Sequence, residues 1–228
     1  MSSYPFRFSR IRSALDFDHL RLYCNEDVMK TLWKKLPKLI LASASPRREE
    51  LLGQLHVPFT VLPATAAEAH HEHLTGRELS LLNAYSKARV IAKRFPDALV
   101  LGADTLVCLG TQLFGKPADM AEAAHMLRQL RGRTHQVVTG VCLLHLRGHR
   151  EKLFADITDV TFLPLSAAQI RDYLAHVNPL DKAGAYAIQE HGERIVAHVS
   201  GSYSNVVGLP LERLRSELTR WARSMRLK

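Results

Sequence analysis

The sequence predicts an α/β domain, and three observations carry that prediction. From Lys38 onward, short apolar runs with strand character alternate with longer segments of helical periodicity. Leu99–Asp104 opens as a continuous apolar run, the pattern of a strand buried on both faces. Leu39–Arg48, L-I-L-A-S-A-S-P-R-R, reads as an apolar strand running into a helix whose first position is Pro46.

Taken in order, Lys38–Ala42 is a strand and Pro46–Leu55 a helix with Leu51, Leu52 and Leu55 on one face. Phe59–Leu62 is a second strand, bounded by Pro58 and Pro63. Gly76–Arg94 is a long helix carrying Leu79, Leu82, Ala84 and Val90 at near-helical spacing. The buried strand Leu99–Asp104 follows, and Met120–Arg131 is helical. Gln136–Leu146 and Lys152–Phe162 are β segments flanking the turn-forming Arg147–Gly148. Ser166 caps a helix over Ala167–His176. Ile195–Val199 is a late strand, and Leu211–Met225 is a closing amphipathic helix. No internal repeat or low-complexity linker interrupts the series, so two lobes around a shared sheet are the economical arrangement.

Residues 1–28 differ: they mix aromatics, arginines and acids with no sustained period. Met29 then opens M-K-T-L-W-K-K-L-P-K-L-I, a start suited to a compact domain. The expected organisation is an extension over 1–36, its first 28 residues a mis-assigned start or a loose segment, and a domain over 37–228. N-terminal sequencing of the native protein is expected to begin at Met29; a native terminus at Met1 overturns the mis-assignment.

Bulk properties allow a globular enzyme. The 228 residues are 46% hydrophobic and 23% charged, ordinary values for a soluble chain with a sizeable core. A net charge of +9 points to polyanions, nucleotides and nucleic acid among them. Much of that excess lies near the ends, where scattered charge is usually solvated. Cys24, Cys108 and Cys142 are far apart and form no C-x-x-C pair, which suits a reducing compartment and no zinc site. No apolar run approaches the roughly 18 residues of a membrane span. The N-terminus has no secretory apolar core, so a cytoplasmic location is expected.

Several segments carry the chemistry. A strand that stops at a helix N-terminus offers backbone N–H groups to an anion. Arg47 and Arg48 oppose the helix dipole there, yet their forked donors suit phosphate oxygens; the plainer alternative is a surface turn with solvated arginines. Asp104 ends the apolar strand, the place where α/β sheets put their ligands. Gly102 and Ala103 are expected to leave the space beside it open. Such a carboxylate holds a divalent cation or takes a proton from water, unless it merely caps the turn with Thr105. Gly110-T-Q-L-F-Gly115-Lys116 has Walker A spacing, but Pro117 replaces the metal-binding hydroxyl and the segment reads as a β-hairpin. Lys116 remains a point charge for phosphate on a turn. Lys87 lies in the long helix, where a lysine is solvated or ion-paired. Glu68 stands beside His70, His71, Glu72 and His73, a cluster that resembles a metal site or a flexible surface loop. In D-K-A-G-A-Y-A-I-Q (181–189) small residues suit close backbone approach to a ligand, and Gln189 suits a base edge. Gly201–Pro210 has loop chemistry followed by a helix start.

Together these segments resemble the Maf family of nucleoside triphosphate pyrophosphatases over roughly Pro37 to Thr219. The resemblance rests on S-A-S-P-R-R (43–48), G-A-D-T (102–105), G-K-P (115–117), T-H-Q-V-V-T-G-V (134–141), D-K-A-G-A-Y-A-I-Q (181–189) and G-S-Y-S-N-V-V-G-L-P (201–210), six motifs in one order. It implies a two-lobed Maf/ITPase-like α/β fold around a mixed, twisted sheet, with the active site between the lobes. It implies hydrolysis between the α and β phosphates to monophosphate and pyrophosphate, with Mg²⁺ or Mn²⁺. The 181–189 string looks like the branch acting on dTTP and UTP. Matching positions make Asp104 the proton acceptor and tie Arg47, Thr105 and Gln189 to substrate choice. Ser43, Arg48, Glu68, Lys87 and Lys116 match polar cleft residues. Glu68 and Asp104 are the expected metal carboxylates; many members have Asp-Glu where this chain has Ala67-Glu68, a departure from a metal site that uses both of those carboxylates. A homodimer and no stable nucleic-acid partner are expected.

That inventory suits the chemistry. Arg47, Lys87, Lys116 and a metal would neutralise a triphosphate tail that otherwise repels attacking water. Gln189 and Arg47 would complement the acceptor–donor–acceptor imide edge of uracil or thymine. The alternative from another class is a basic nucleic-acid-binding module. It lacks an R-G-F-type motif, a G-x-x-G clamp and aromatics interleaved with basic residues.

Overall fold

The computed structural model describes residues 26–65 and 73–225. The elements, in chain order, are helix α1 (Glu26–Trp33), strand β1 (Leu39–Leu41), helix α2 (Pro46–Gly53) and strand β2 (Phe59–Val61). Helix α3 (Gly76–Arg94), strands β3 (Leu99–Leu109) and β4 (Gln112–Phe114), and helix α4 (Met120–Leu130) follow. Then come strands β5 (Thr134–His145) and β6 (Arg150–Phe162), helix α5 (Ala167–His176), strand β7 (Val196–Ser200), and helices α6 (Tyr203–Val207) and α7 (Leu211–Ser224). The architecture is α/β around one mixed seven-stranded sheet ordered β2-β1-β3-β5-β6-β7, with β4 paired to β3.

Local chemistry sets the helix starts. Thr75 and Glu78 form a reciprocal capping box on α3, and Ser166 and Gln169 do the same on α5. Asp119 accepts from the Glu122 N–H to open α4. Helix α2 starts on Pro46 instead, with no side-chain cap.

The sheet buries both faces. Helix α3 covers one, closing Ala84, Ala88 and Ile91 over Ile40, Val100, Cys142 and Leu144. The larger core lies on the other face, where α2, α4, α5 and α7 bury Leu52, Leu127, Tyr173 and Leu218. Leu32 and Trp33 of α1 join that core. Residues 1–25 lie outside the described residues; α1 begins at Glu26, so the aperiodic stretch ends in a helix before Met29.

One register feature creates the site. Strand β1 pairs in parallel with β3 as far as Leu41 opposite Leu101, and β4 joins the same edge only at Val107 opposite Phe114. Between these points β3 has β5 on its far edge alone, and a cleft opens where its partner changes. The β4 hairpin is as the sequence indicated.

Three expectations differ from the structure. Asp104 does not end its strand: β3 runs on to Leu109, and Asp104 sits mid-strand opposite Gly140. The apolar run Leu106–Leu109 carries pairing past the carboxylate, whose charge is met by α3. Nor does Gly102 leave open space. A Cβ there would stand 2.2 Å from the Ala84 carbonyl oxygen and 2.9 Å from the Ala88 nitrogen, because α3 occupies it. Ala103 is likewise fully buried, on the opposite face. Gly201–Pro210, expected as a loop, also holds the short helix α6.

Candidate active site

The cleft has a volume of about 310 Å³ and draws mainly on the β1–α2 junction, mid-β3, the turn after β4 and residues 181–189, with Ala64, Lys87 of α3, Val137 of β5 and Val206 and Val207 of α6 completing the lining. Ser43, Arg47, Arg48, Lys87, Asp104, Thr105, Lys116 and Gln189 all line it. Glu68, with His70, His71 and Glu72, lies outside the described residues.

Asp104 is buried, and both its oxygens are engaged from one face of α3. Lys87 Nζ lies 2.6 Å from Oδ1, and Asn83 Nδ2 donates to Oδ2 at 3.1 Å. Residues 83 and 87 stand one turn apart, so both project from the same side of the helix. Their reach depends on how closely α3 lies on the sheet. Gly102 and Gly140, on adjacent strands, supply that closeness: a Cβ on Gly140 would come within 2.4–2.6 Å of the Ser80 and Leu81 backbone.

On the opposite side of β3, Arg48 acts as a brace. Its Nε donates to the Gly208 carbonyl at 2.9 Å and its Nη2 to Thr105 Oγ1 at 2.9 Å. Ser43 Oγ accepts the Ser45 N–H at 3.1 Å and a long contact from Arg48 Nη1 at 3.5 Å. The S-A-S-P-R-R turn is thus tied to β3 and to the loop after α6.

Arg47 points the other way. It donates from Nη1 to the Asp181 carboxylate at 2.8 Å and from Nη2 to the Asp181 carbonyl at 3.1 Å. Burial alone would raise the Asp181 pKa, but hydrogen bonds from Lys182 and Arg47 outweigh it and hold the carboxyl below its ordinary range. Lys182 is itself buried, bonded to Asp181, Glu190 and the Asn178 carbonyl. The Gly184 N–H bonds to the Gly115 carbonyl at 3.0 Å, docking the 181–189 segment on the turn that carries Lys116. Lys116 and Gln189 have exposed side chains with no partner among the described residues.

Reading residues one at a time misses Asn83, Asp181 and Lys182. Asn83 has a usable signal, since it stands four residues before Lys87 on a predicted helix. Asp181 and Lys182 lie inside a motif whose small residues drew the attention.

Beneath the cleft, Tyr186 packs edge-on against His135 and Phe162, and its hydroxyl lies 2.9 Å from His135 Nε2. Burial pushes the His135 imidazole down to about 4. Unfolded, the same ring binds a proton below about 6.5. Between these values only the unfolded chain takes it up, so stability is whole above the window and falls as pH drops through it. The fall attributable to His135 is expected to reach about 3 kcal/mol. Urea unfolding across the window is expected to show a shallower pH slope in His135→Phe; equal slopes would refute the assignment.

Asp104 offers a hard oxygen donor, and no group of three His, Cys, Asp or Glu side chains gathers among the described residues. That donor set fits magnesium or manganese, which take one or two carboxylates and complete their shells with phosphate and water. No helix among the described residues is long and apolar enough to cross a membrane.

Comparison with known proteins agrees with this geometry. The family profile described as Maf-like protein matches residues 38–221. A dTTP/UTP pyrophosphatase of Symbiobacterium thermophilum is 48% identical over 187 residues, covering 82% of this chain and 95% of that one. One from Myxococcus xanthus is 51% identical over 173 residues, covering 76% and 87%. A third, from Deinococcus radiodurans, is 49% identical over 175 residues, covering 77% and 88%. With its cleft residues inside the matched span and the match running through nearly the whole domain, the chain belongs to the Maf family.

Proposed function

We propose that this chain is a nucleoside triphosphate pyrophosphatase that hydrolyses dTTP and UTP to the monophosphate and pyrophosphate. The observation that carries the reading is Asp104, held by Lys87 and Asn83 where β3 changes partner, with Arg47, Arg48 and Lys116 around the same cleft. The names and coverage of the relatives support the substrate assignment. Modified pyrimidine nucleotides fall within the same reading.

In the reaction, Asp104 orients a water and accepts its proton as the oxygen bonds to the α-phosphorus. The bond from that phosphorus to the bridging oxygen breaks, and pyrophosphate departs with its electron pair. Lys87, Arg47 and Lys116 balance the charge that develops on the phosphoryl oxygens. For Arg47 this means exchanging the Asp181 carboxylate for phosphate, an equivalent anionic partner. Ser43, already accepting from the Ser45 N–H, has its hydroxyl hydrogen to give to a phosphate oxygen. A divalent cation would be held by Asp104 and Glu68 and would supply further neutralisation of the phosphate tail. Gln189 faces the base.

The test is pyrophosphate release from a panel of nucleoside triphosphates with and without magnesium. dTTP and UTP are expected to be cleaved fastest, and chelation to abolish release. Salt-sensitive binding of nucleic acid with no hydrolysis of any nucleotide would overturn the reading in favour of a binding module. A homodimer, a cytoplasmic setting and the lack of a stable nucleic-acid partner belong to the same reading, and light scattering tests the first.

A further inference from the structure

We propose that Thr139, a fully buried residue of β5 outside the cleft lining, sets the hydrogen-bond polarity with which Thr105 meets the pyrimidine. Thr139 is thereby a positioning residue for the choice of uracil or thymine over cytosine. The inference rests on the dTTP/UTP reading.

A threonine hydroxyl has one hydrogen to donate and two lone pairs. Thr139 Oγ1 lies 3.0 Å from the Asn205 carbonyl oxygen, which can only accept, so Thr139 spends its hydrogen there. Thr105 Oγ1 lies 3.0 Å from Thr139 Oγ1. With the Thr139 hydrogen committed, Thr105 is the donor in that pair. Arg48 Nη2, which can only donate, fills one Thr105 lone pair at 2.9 Å. Thr105 therefore faces the cleft with one acceptor lone pair and no hydrogen. The order is enforced from both ends, by a backbone carbonyl and a guanidinium, neither of which can reverse its role. Asn205 is held in turn: it is fully buried, and its Nδ2 donates to the Val137 carbonyl and to Thr158 Oγ1, both at 3.0 Å.

An acceptor of fixed polarity selects a donor. Phosphate oxygens and base carbonyls are acceptors, sugar hydroxyls adapt to either role, and the donors are base N–H groups, of which the cytosine amine stands one position along the edge from N3. The imide N3–H of uracil and thymine is a donor with no lone pair of its own. Cytosine presents a bare N3 lone pair at that position, which would oppose the Thr105 lone pair and leave both without a hydrogen. Ser43 is the opposite case, its lone pair taken by the Ser45 N–H and its hydrogen available to an acceptor.

Thr139→Val keeps the shape and removes both roles of the hydroxyl, which frees the Thr105 hydrogen to turn into the cleft. The expected result is a fall of about tenfold or more in the ratio of kcat/KM for UTP over CTP, with Thr139→Ser restoring the wild-type ratio. A purely structural role would lower both substrates together and leave the ratio unchanged, which would overturn the proposal. Should Thr139→Val fail to fold, the wild-type enzyme decides with N3-methyl-UTP against 5-methyl-UTP. Loss of about a hundredfold for the former supports the proposal, and turnover within a few-fold of the latter overturns it. Wild-type enzyme that cleaves neither UTP nor dTTP would instead sink the dTTP/UTP reading itself.

Discussion

Asp104→Asn is expected to lower turnover by about a thousandfold or more while nucleotide binding persists. The amide is nearly isosteric with the carboxylate, so the site keeps its shape. Its oxygen still accepts from Lys87, and Asn83 can rotate its own amide to meet the new donor. What disappears is the capacity to take a proton from water. Lys87 also loses the counter-charge at 2.6 Å and keeps only a neutral acceptor. Because the pair is largely withdrawn from solvent, some stability is expected to go with it. Pyrophosphate release gives kcat, and calorimetric titration with UTP gives the affinity. Turnover close to wild type would remove Asp104 from the chemistry.

Gly140→Ala is expected to destabilise the fold by about 3 kcal/mol and to depress activity in whatever protein remains folded. The added Cβ would stand 2.4 Å from the Ser80 carbonyl carbon, 2.5 Å from its oxygen and 2.6 Å from the Leu81 nitrogen. These are backbone atoms of a nineteen-residue helix, so no side chain can swing aside. The relief available is to lift α3, which carries Asn83 and Lys87 away from Asp104 and opens the core beneath Ala84 and Ala88. Gly102→Ala should behave alike. Gly53→Ala is the control, since nothing lies within 4 Å of its added Cβ. Helix propensity makes that change neutral or stabilising by up to about 1 kcal/mol. Urea midpoints of the two variants measure the contrast, and a Gly140→Ala midpoint equal to wild type would show that α3 does not lie so close.

Much of this protein was legible without coordinates. Apolar runs located the strands, though β3 was ended five residues early; helical spacing located α3, and Ser166 located the start of α5. Those are local signals, decided by neighbours a few residues away. Asp104, Lys87 and Arg47 were also legible as chemistry-bearing types at telling positions. Their partners were not. Lys87 read as solvated or ion-paired, and its carboxylate is 17 residues away across a helix–sheet contact. Arg47 read as a phosphate ligand, and the carboxylate that holds it lies 134 residues on.

Sequence by itself therefore determined which segments are extended and which coil, and which polar residue types carry the chemistry. Tertiary structure decided that a carboxylate lies mid-strand, that two glycines admit a helix backbone, and that one threonine orients another. The physical reason is range. Strand and helix formation answer to periodicities of two and 3.6 residues, written along the chain. Hydrogen-bond polarity and close approach answer to atoms brought together only after packing, and no spacing in the sequence encodes them.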